Sequence, residues 1–251
     1  MLDRVVYPNY DPLLLLTAAA VLTTRVRLMT EVLLAPVRNT TILAKEAATL
    51  DILSKGRLTL GLGAATREDD FIATGASYKD RGKRFNEQLV QLRQIWNGQP
   101  LAENLGLIGP QPVQKNGPEL IIGGHSPRAY QRAGCYGDGF VIAANGVADV
   151  DKAFRSVEQY WQEAGRSGKP RLIAQIDFAL ETQHVGRASE NILAYYKFIP
   201  PFDQYKVSTA LRTEQQISEM LKALEQIGTD EVMLFTWSEE ISQIDRVASL
   251  I

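Results

Sequence analysis

The stretch LIIGGHSPRAYQRAGCYGDGFVI, Leu120 to Ile142, decides the fold. An apolar run ends in two glycines. A Ser-Pro pair then opens a segment of helical character, and Gly-Asp-Gly turns the chain into a second apolar run. Strand, helix and strand joined this tightly form the unit of a parallel sheet. Its strands read as near-continuous apolar runs because helices cover both faces. Gly123 and Gly124 lack a Cβ and allow an anion close to the backbone. Ser126 suits the helix cap and Pro127 the first turn, where no N–H is needed. The leading N–H groups of such a helix are unpaired and favour a negative group. Two readings stand: a phosphate site with His125 and Arg128 beside it, or a tight turn with a serine cap. GxxxxGK[ST], GxGxxG and GxSxG are all absent.

The alternation continues outward in both directions. Asp11 and Pro12 open a helix to about Thr24, and Val26 to Ala35 reads as a strand. Asn39 to Gly56 reads as a helix whose apolar stripe is Ile42, Leu43, Ala47, Leu50 and Leu53. Arg57 to Ala64 is a strand, followed by a polar loop, a helix from Arg84 to Trp96 and a Gly- and Pro-rich excursion from Asn97 to Pro118. Further on come a strand from Gly139, a helix from Asp149 and a strand from Arg171 to Glu181. Ala188 to Ile199 is helical, and irregular residues reach Thr213. A helix ending at Gly228, a strand from Glu231 to Trp237 and a closing helix to Ile251 complete a single domain. Six strands result. A (β/α) barrel needs eight and a doubly wound open sheet manages with six, so the count alone favours the open sheet.

The 251 residues are 45% hydrophobic and 22% charged, with net charge -2. That balance gives no sign of nucleic acid or an anionic membrane as a partner. No 18-residue apolar run exists, and Leu13 to Leu22 lacks the basic start of a signal peptide, so it reads as a helix. The single Cys135 excludes an internal disulfide, fits a reducing cytoplasm and reads as a small packing residue. Two histidines, His125 and His184, exclude a multi-histidine metal site, and no metal is expected. Asp69 and Asp70 read as a solvated face. RGKRF, Arg81 to Phe85, reads as a surface cluster pairing with Asp80 and Glu87, with Arg81 within reach of an anionic ligand. Tyr195, Tyr196, Phe198, Phe202 and Tyr205 form either a wall over a substrate pocket or simple loop packing.

The run LMTEVLLAPVRNTTILAKEAATLDILSKGRLTLGLGAATREDDFIATG resembles the bacterial luciferase-like flavin-dependent monooxygenase family. The motif residues are Leu28, Thr30, Val32, Pro36, Arg38, Asn39, Ala44, Lys45, Leu50, Asp51, Leu53, Ser54, Gly56, Arg57, Gly61 and Gly63. DRGKRFNEQLVQLRQIWNGQP, the Gly-Gly-His-Ser-Pro segment and GTDEVMLFTW match further on, so the resemblance covers nearly the whole chain. It implies a TIM-type barrel and an oxidoreductase: a monooxygenase using reduced FMN and oxygen, with hydride transfer from an 8-hydroxy-5-deazaflavin or a non-catalytic flavin-binding protein as the alternatives. Gly123, Gly124, His125 and Ser126 would match the cofactor-phosphate loop. The ring would lie against Thr30, Glu31 and Val32, where Glu31 and Val32 are candidates for a non-proline cis peptide. Gly61 and Gly63 would leave space beside it. The expected partners are a small organic substrate, a flavin reductase and a second copy of the chain in a homodimer. Set against the family pattern, Met1 aligns with the end of the second strand. The barrel is then incomplete, lacking about 35–40 residues, the size of one βαβ unit, and open edges of that kind invite association. The family's frequent histidine falls at Arg4, so no general acid or base is carried over.

Overall fold

The computed structural model describes residues 1–180, 182–198, 201–238 and 240–250, with only the backbone of 182–185. It contains two compact units, Met1–Phe140 with Val157–Pro170, and Val141–Ser156 with Arg171–Ile251.

In the first unit, Asp11 caps helix α1 (Pro12–Leu22), its carboxylate accepting the N–H groups of Leu13 at 2.9 Å and Leu14 at 3.1 Å. The strand expected from Val26 to Ala35 is instead two short strands, β1 (Leu28–Met29) and β2 (Leu33–Leu34). Both pair in parallel with β3 (Leu58–Gly63), which is buried along its length. Leu28 faces Leu58 and Leu33 faces Leu62, so the pairing offset falls from 30 residues to 29. One extra residue sits in the first strand, as in a bulge, and the Glu31–Val32 peptide there is cis. The sequence on β3 permits this. A Cβ on Gly61 would lie inside the van der Waals shell of the Thr30 carbonyl oxygen, and one on Gly63 would lie 2.7 Å from Val32 Cγ2.

Helix α2 (Thr40–Ser54) is capped by Asn39, whose Oδ1 accepts from Ile42 N–H at 3.1 Å. Its buried face is Leu43, Ala44, Ala47, Ala48, Leu50, Asp51 and Ser54. Ile42 and Leu53 of the expected stripe are instead 53% and 46% exposed. Periodicity weighted by hydropathy undervalues alanine, whose small side chain allows the closest helix approach. The expected polar loop contains α3 (Glu68–Thr74), and α4 (Arg81–Trp96) starts at Arg81, ahead of the expected Arg84. Within RGKRF, Lys83 lies 3.8 Å from Glu87 as expected, but Asp80 bonds Ser77 and Phe85 is fully buried.

Strand β4 (Glu119–Gly123) pairs with β3 from Thr59–Glu119 to Gly63–Gly123 and leads into α5 (Pro127–Tyr136). Cys135 on α5 is exposed, contrary to its reading as a packing residue; Ala133 and Gly134 take the buried positions. The excursion from Asn97 to Pro118 has neither helix nor strand. Asp51 tethers it, accepting the N–H groups of Val113 at 2.8 Å and Gln114 at 3.0 Å.

Strand β5 (Gly139–Ala143) begins in the first unit and ends in the second, where the Ala144 N–H donates to the Gln175 carbonyl at 2.7 Å. Helix α6 (Val147–Glu163) follows. Strands β6 (Arg171–Phe178) and β7 (Glu231–Thr236) pair in parallel from Ile173–Glu231 to Phe178–Thr236. Between them lie α7 (Thr182–Tyr196), α8 (Phe202–Thr209) and α9 (Glu214–Gln226), and α10 (Ser242–Ala248) follows β7. The stretch read as irregular up to Thr213 thus carries α8. Strand β6 stops at Phe178; its expected end at Glu181, the helix end at Ile199 and the terminus at Ile251 lie outside the described residues.

In each unit, with β1 and β2 counted as one split strand, strands adjacent in space follow one another in sequence. A doubly wound sheet reverses its order at a switch point. The open-sheet alternative therefore gives way to the parallel α/β architecture of the TIM-type barrel. No helix among the described residues is long and apolar enough to cross a membrane.

Gly61→Ala should destabilise by about 1–3 kcal/mol, the usual range for overpacking against groups that cannot yield, whereas Gly106→Ala, with open space around it, should be neutral. Thermal melts of the two variants check this. Burial raises the pKa of Asp11, but the N–H groups of Leu14 and Leu13 and the charge of Arg38 outweigh it and hold the carboxyl below its ordinary 3.8. A depressed carboxylate stabilises above its unfolded-state value and ceases to as pH falls through the folded one. Asp11→Asn should therefore melt below wild type at neutral pH, with the gap closing as pH drops below 3.8.

Candidate functional site

In (β/α) architectures, chemistry gathers at the carboxyl ends of the strands. In the first unit those ends are Thr30–Leu34, Gly61–Ala64 and Gly123–Ser126. Gly63 has Leu34 on one side and Gly123 on the other, so three strands end on one line. Two strand spacings, about 10 Å, separate the outer members. Thr30 is fully buried and its hydroxyl donates to the Gly61 carbonyl at 2.7 Å. Glu31 and Val32 are half-buried at the bulge. The space expected beside Gly61 and Gly63 is filled by the Thr30 carbonyl and the Val32 side chain, so these glycines seat the bulge.

Gly124 follows β4 at φ 147, a backbone conformation that side chains rarely adopt, and a Cβ there would meet Ala129 Cβ at 2.8 Å. Ser126 caps α5, its hydroxyl accepting the Ala129 N–H at 3.3 Å, and Pro127 fills the first turn. His125, Ser126 and Arg128 are exposed on this turn. A helix N-terminus with a serine hydroxyl, an imidazole and a guanidinium is a donor set suited to a phosphate. It therefore fits the phosphate end of a flavin or deazaflavin.

A further group was not legible as functional. Met1 and Asp3 run beside β1 and β2: the Glu31 N–H donates to the Met1 carbonyl at 2.7 Å, and the Leu34 N–H to Asp3 Oδ2 at 2.9 Å. Arg4 thus arrives at the same edge. Its Nε donates to Asp70 Oδ2 at 2.9 Å, and Asp70 Oδ1 accepts the N–H groups of Val5 at 3.0 Å and Val6 at 2.8 Å. Asp70 is fully buried, which corrects its reading as a solvated residue: the carboxylate is needed to hold residues 4–6. Hydrogen bonds from Arg67 hold the more exposed Asp69 carboxyl below its usual range. A guanidinium donates hydrogen bonds but is no general base, so Arg4 braces the edge without moving protons. The available signal was two acids placed just after a buried strand.

Arg81 stacks on the Tyr78 ring at 3.9 Å and donates to the Tyr78 carbonyl, so it is engaged within its own loop. Among the described residues no group of three or more His, Cys, Asp or Glu is arranged to hold a metal; the His184 side chain lies outside them. A polar cleft of about 880 Å³ opens at the opposite ends of β3 and β4, lined by Arg27, Arg57, Arg93 and Lys115 among others. Its arginines are committed: Arg57 to the carbonyls of Ala20, Thr23, Val26 and Ser54, Arg93 to Asp138, and Arg27 to Glu119.

In the second unit, four of the five aromatic residues singled out, Tyr195, Tyr196, Phe202 and Tyr205, pack in a chain. Tyr196 packs edge-on to Tyr195 at 4.8 Å and Phe202 at 5.3 Å, and Phe202 reaches Tyr205 at 6.0 Å.

Known proteins resemble this arrangement. A solved monooxygenase, RslO1 from Streptomyces bottropensis, superposes with a TM-score of 0.77 at 23% identity, over 96% of this chain and 80% of that one. An F420-dependent secondary alcohol dehydrogenase superposes with a TM-score of 0.80 at 18% identity, over 96% and 83%. At such identities both speak for the fold. An uncharacterized protein of Mycobacterium tuberculosis is 30% identical over 171 residues, 65% of this chain and 60% of its own length. The chain thus spans about 60% of that curated relative. The family model for luciferase-like monooxygenase matches residues 3–230. The chain belongs to the luciferase-like monooxygenase family.

Proposed function

We propose that the protein is a flavin-dependent oxidoreductase that uses reduced FMN and oxygen on a small organic substrate, with a flavin reductase supplying the reduced cofactor. The observation that carries this reading is the single line formed by the bulge at Thr30–Val32, Gly63 and the turn Gly123–Ser126. The turn would hold the phosphate through the α5 N-terminus and the Ser126 hydroxyl. Thr30, Glu31 and Val32 would back the ring, with Thr30 fixed by its bond to Gly61. Bound reduced flavin supplies the electrons that activate oxygen; the protein orients it and excludes water. Asp70 and Arg4 hold residues 4–6 at the strand ends through their ion pair and the Val5 and Val6 N–H groups.

A second reading is hydride transfer from a reduced deazaflavin, with no oxygen consumed. It has a counterpart in the F420-dependent dehydrogenase that shares the fold, as the first reading has in the monooxygenase. Both cofactors carry a phosphate, and the turn suits both.

Fluorescence titration of the full chain with FMN and, separately, with the deazaflavin tests both readings. FMN should bind saturably and the deazaflavin more weakly; the reverse order would favour hydride transfer. Ser126→Ala removes one hydrogen bond to a charged group, worth about 1.5–3 kcal/mol, and should weaken binding roughly tenfold or more. Gly124→Asp sets a negative charge against the phosphate and should abolish binding. Unchanged affinity in Ser126→Ala, or no binding of either cofactor, would overturn the assignment of the turn.

A further inference from the structure

Tyr196, the last residue of α7, has a ring that is held and a hydroxyl that is not. The ring centre lies 4.8 Å from that of Tyr195, 5.3 Å from Phe202 and 6.1 Å from Trp237, with the Lys206 ammonium 5.9 Å away. These neighbours are tied to the carboxyl end of β6. The Trp237 indole N–H donates to Asp177 Oδ1 at 3.2 Å, and Gln175 Nε2 donates to the same oxygen at 2.9 Å. Lys206, 1% exposed, pairs with the other Asp177 oxygen. Phenol hydroxyls in enclosed positions usually find a hydrogen-bond partner. The Tyr196 hydroxyl has none among the described residues, yet it is not closed off from solvent. Burial, and then Asp177 and Tyr195, push its pKa up, so the group stays a neutral donor at physiological pH.

We propose that the Tyr196 hydroxyl donates a hydrogen bond to the carbonyl oxygen of the substrate, and that the substrate is an apolar ketone or aldehyde. The surroundings select this class. Asp177 and Lys206 neutralise each other, so this pair offers no free counter-charge to an anionic or a cationic substrate. A charged group would lose its hydration against the aromatic rings without compensation. A neutral phenol needs an oxygen lone pair, and a carbonyl supplies one without bringing a donor that needs its own acceptor. The bond draws electron density from the carbonyl carbon and prepares it for attack by a nucleophile. Tyr196 is then the residue that touches the substrate, and Trp237, Asp177 and Lys206 position it. The assignment rests on the oxidoreductase reading for its reaction but not on the choice between the two cofactors.

Equilibrium binding of acetophenone to the full chain, without cofactor, tests the assignment. The control ligand is α-methylstyrene, which carries a methylene group in place of the carbonyl oxygen. Wild type should bind the ketone about three- to tenfold more tightly, the range for one neutral hydrogen bond. The carbonyl stretch of the bound ketone should move to lower wavenumber. Tyr196→Phe should bind both ligands as wild type binds α-methylstyrene, leave the stretch unshifted and take up FMN as wild type does. Failure of FMN to bind wild type would count against the phosphate turn and would leave these ligand measurements intact. Equal affinity of wild type for the two ligands, binding of neither, or a ketone preference that persists in Tyr196→Phe would overturn the proposal.

Discussion

The first unit depends on one close approach, that of the Thr30 carbonyl to the backbone of β3 at Gly61. Any side chain at Gly61 would occupy the place of that oxygen. Because the space is open, the extra residue of the first strand fits between Met29 and Leu33, and the Thr30 hydroxyl reaches the Gly61 carbonyl. Gly63 repeats the device one pleat on, where Val32 fills the space left by its missing side chain. The bulge then presents Glu31 and Val32 at the strand ends, in line with Gly123. Two small residues on one buried strand thus turn a sheet edge into a shaped surface.

A second constraint runs through the molecule: buried or half-buried carboxylates that capture backbone N–H groups of other segments. Asp3 takes Leu34, Asp70 takes Val5 and Val6, Asp51 takes Val113 and Gln114, and Asp138 takes Leu120. Charge-assisted bonds of this kind are stronger than neutral ones and fix direction as well as distance. They place the irregular segments around the strand ends without needing an apolar face on each. Asp177 belongs to the same group of residues but takes a side-chain ammonium in place of an amide.

Much of this was legible in the sequence, for reasons that differ by element. Apolar runs bounded by Gly and Pro located β3 to β7, and Asp11, Asn39 and Ser126 marked helix starts by side-chain chemistry that acts locally. The Gly-Gly-His-Ser-Pro turn was readable because its geometry is set within a few residues. The split of the first strand was not visible in its own apolar run, since it depends on Gly61, some thirty residues away in sequence; the family resemblance alone pointed to Glu31 and Val32. Asp70 and Lys206 were misread or passed over for one shared reason. A charged residue in a polar stretch is solvated unless a distant partner is brought to it, and both partners, Arg4 and Asp177, arrive through tertiary structure. Short α3 and α8 carry too little periodicity to stand out from loops.

A crystal structure of the chain with FMN bound would test the central claim most directly. The account predicts the phosphate at the Gly123–Ser126 turn, within hydrogen-bond reach of the Ser126 hydroxyl, and the ring against Thr30 to Val32. A phosphate seated instead in the cleft lined by Arg27, Arg57 and Lys115, at the opposite ends of the same strands, would contradict it.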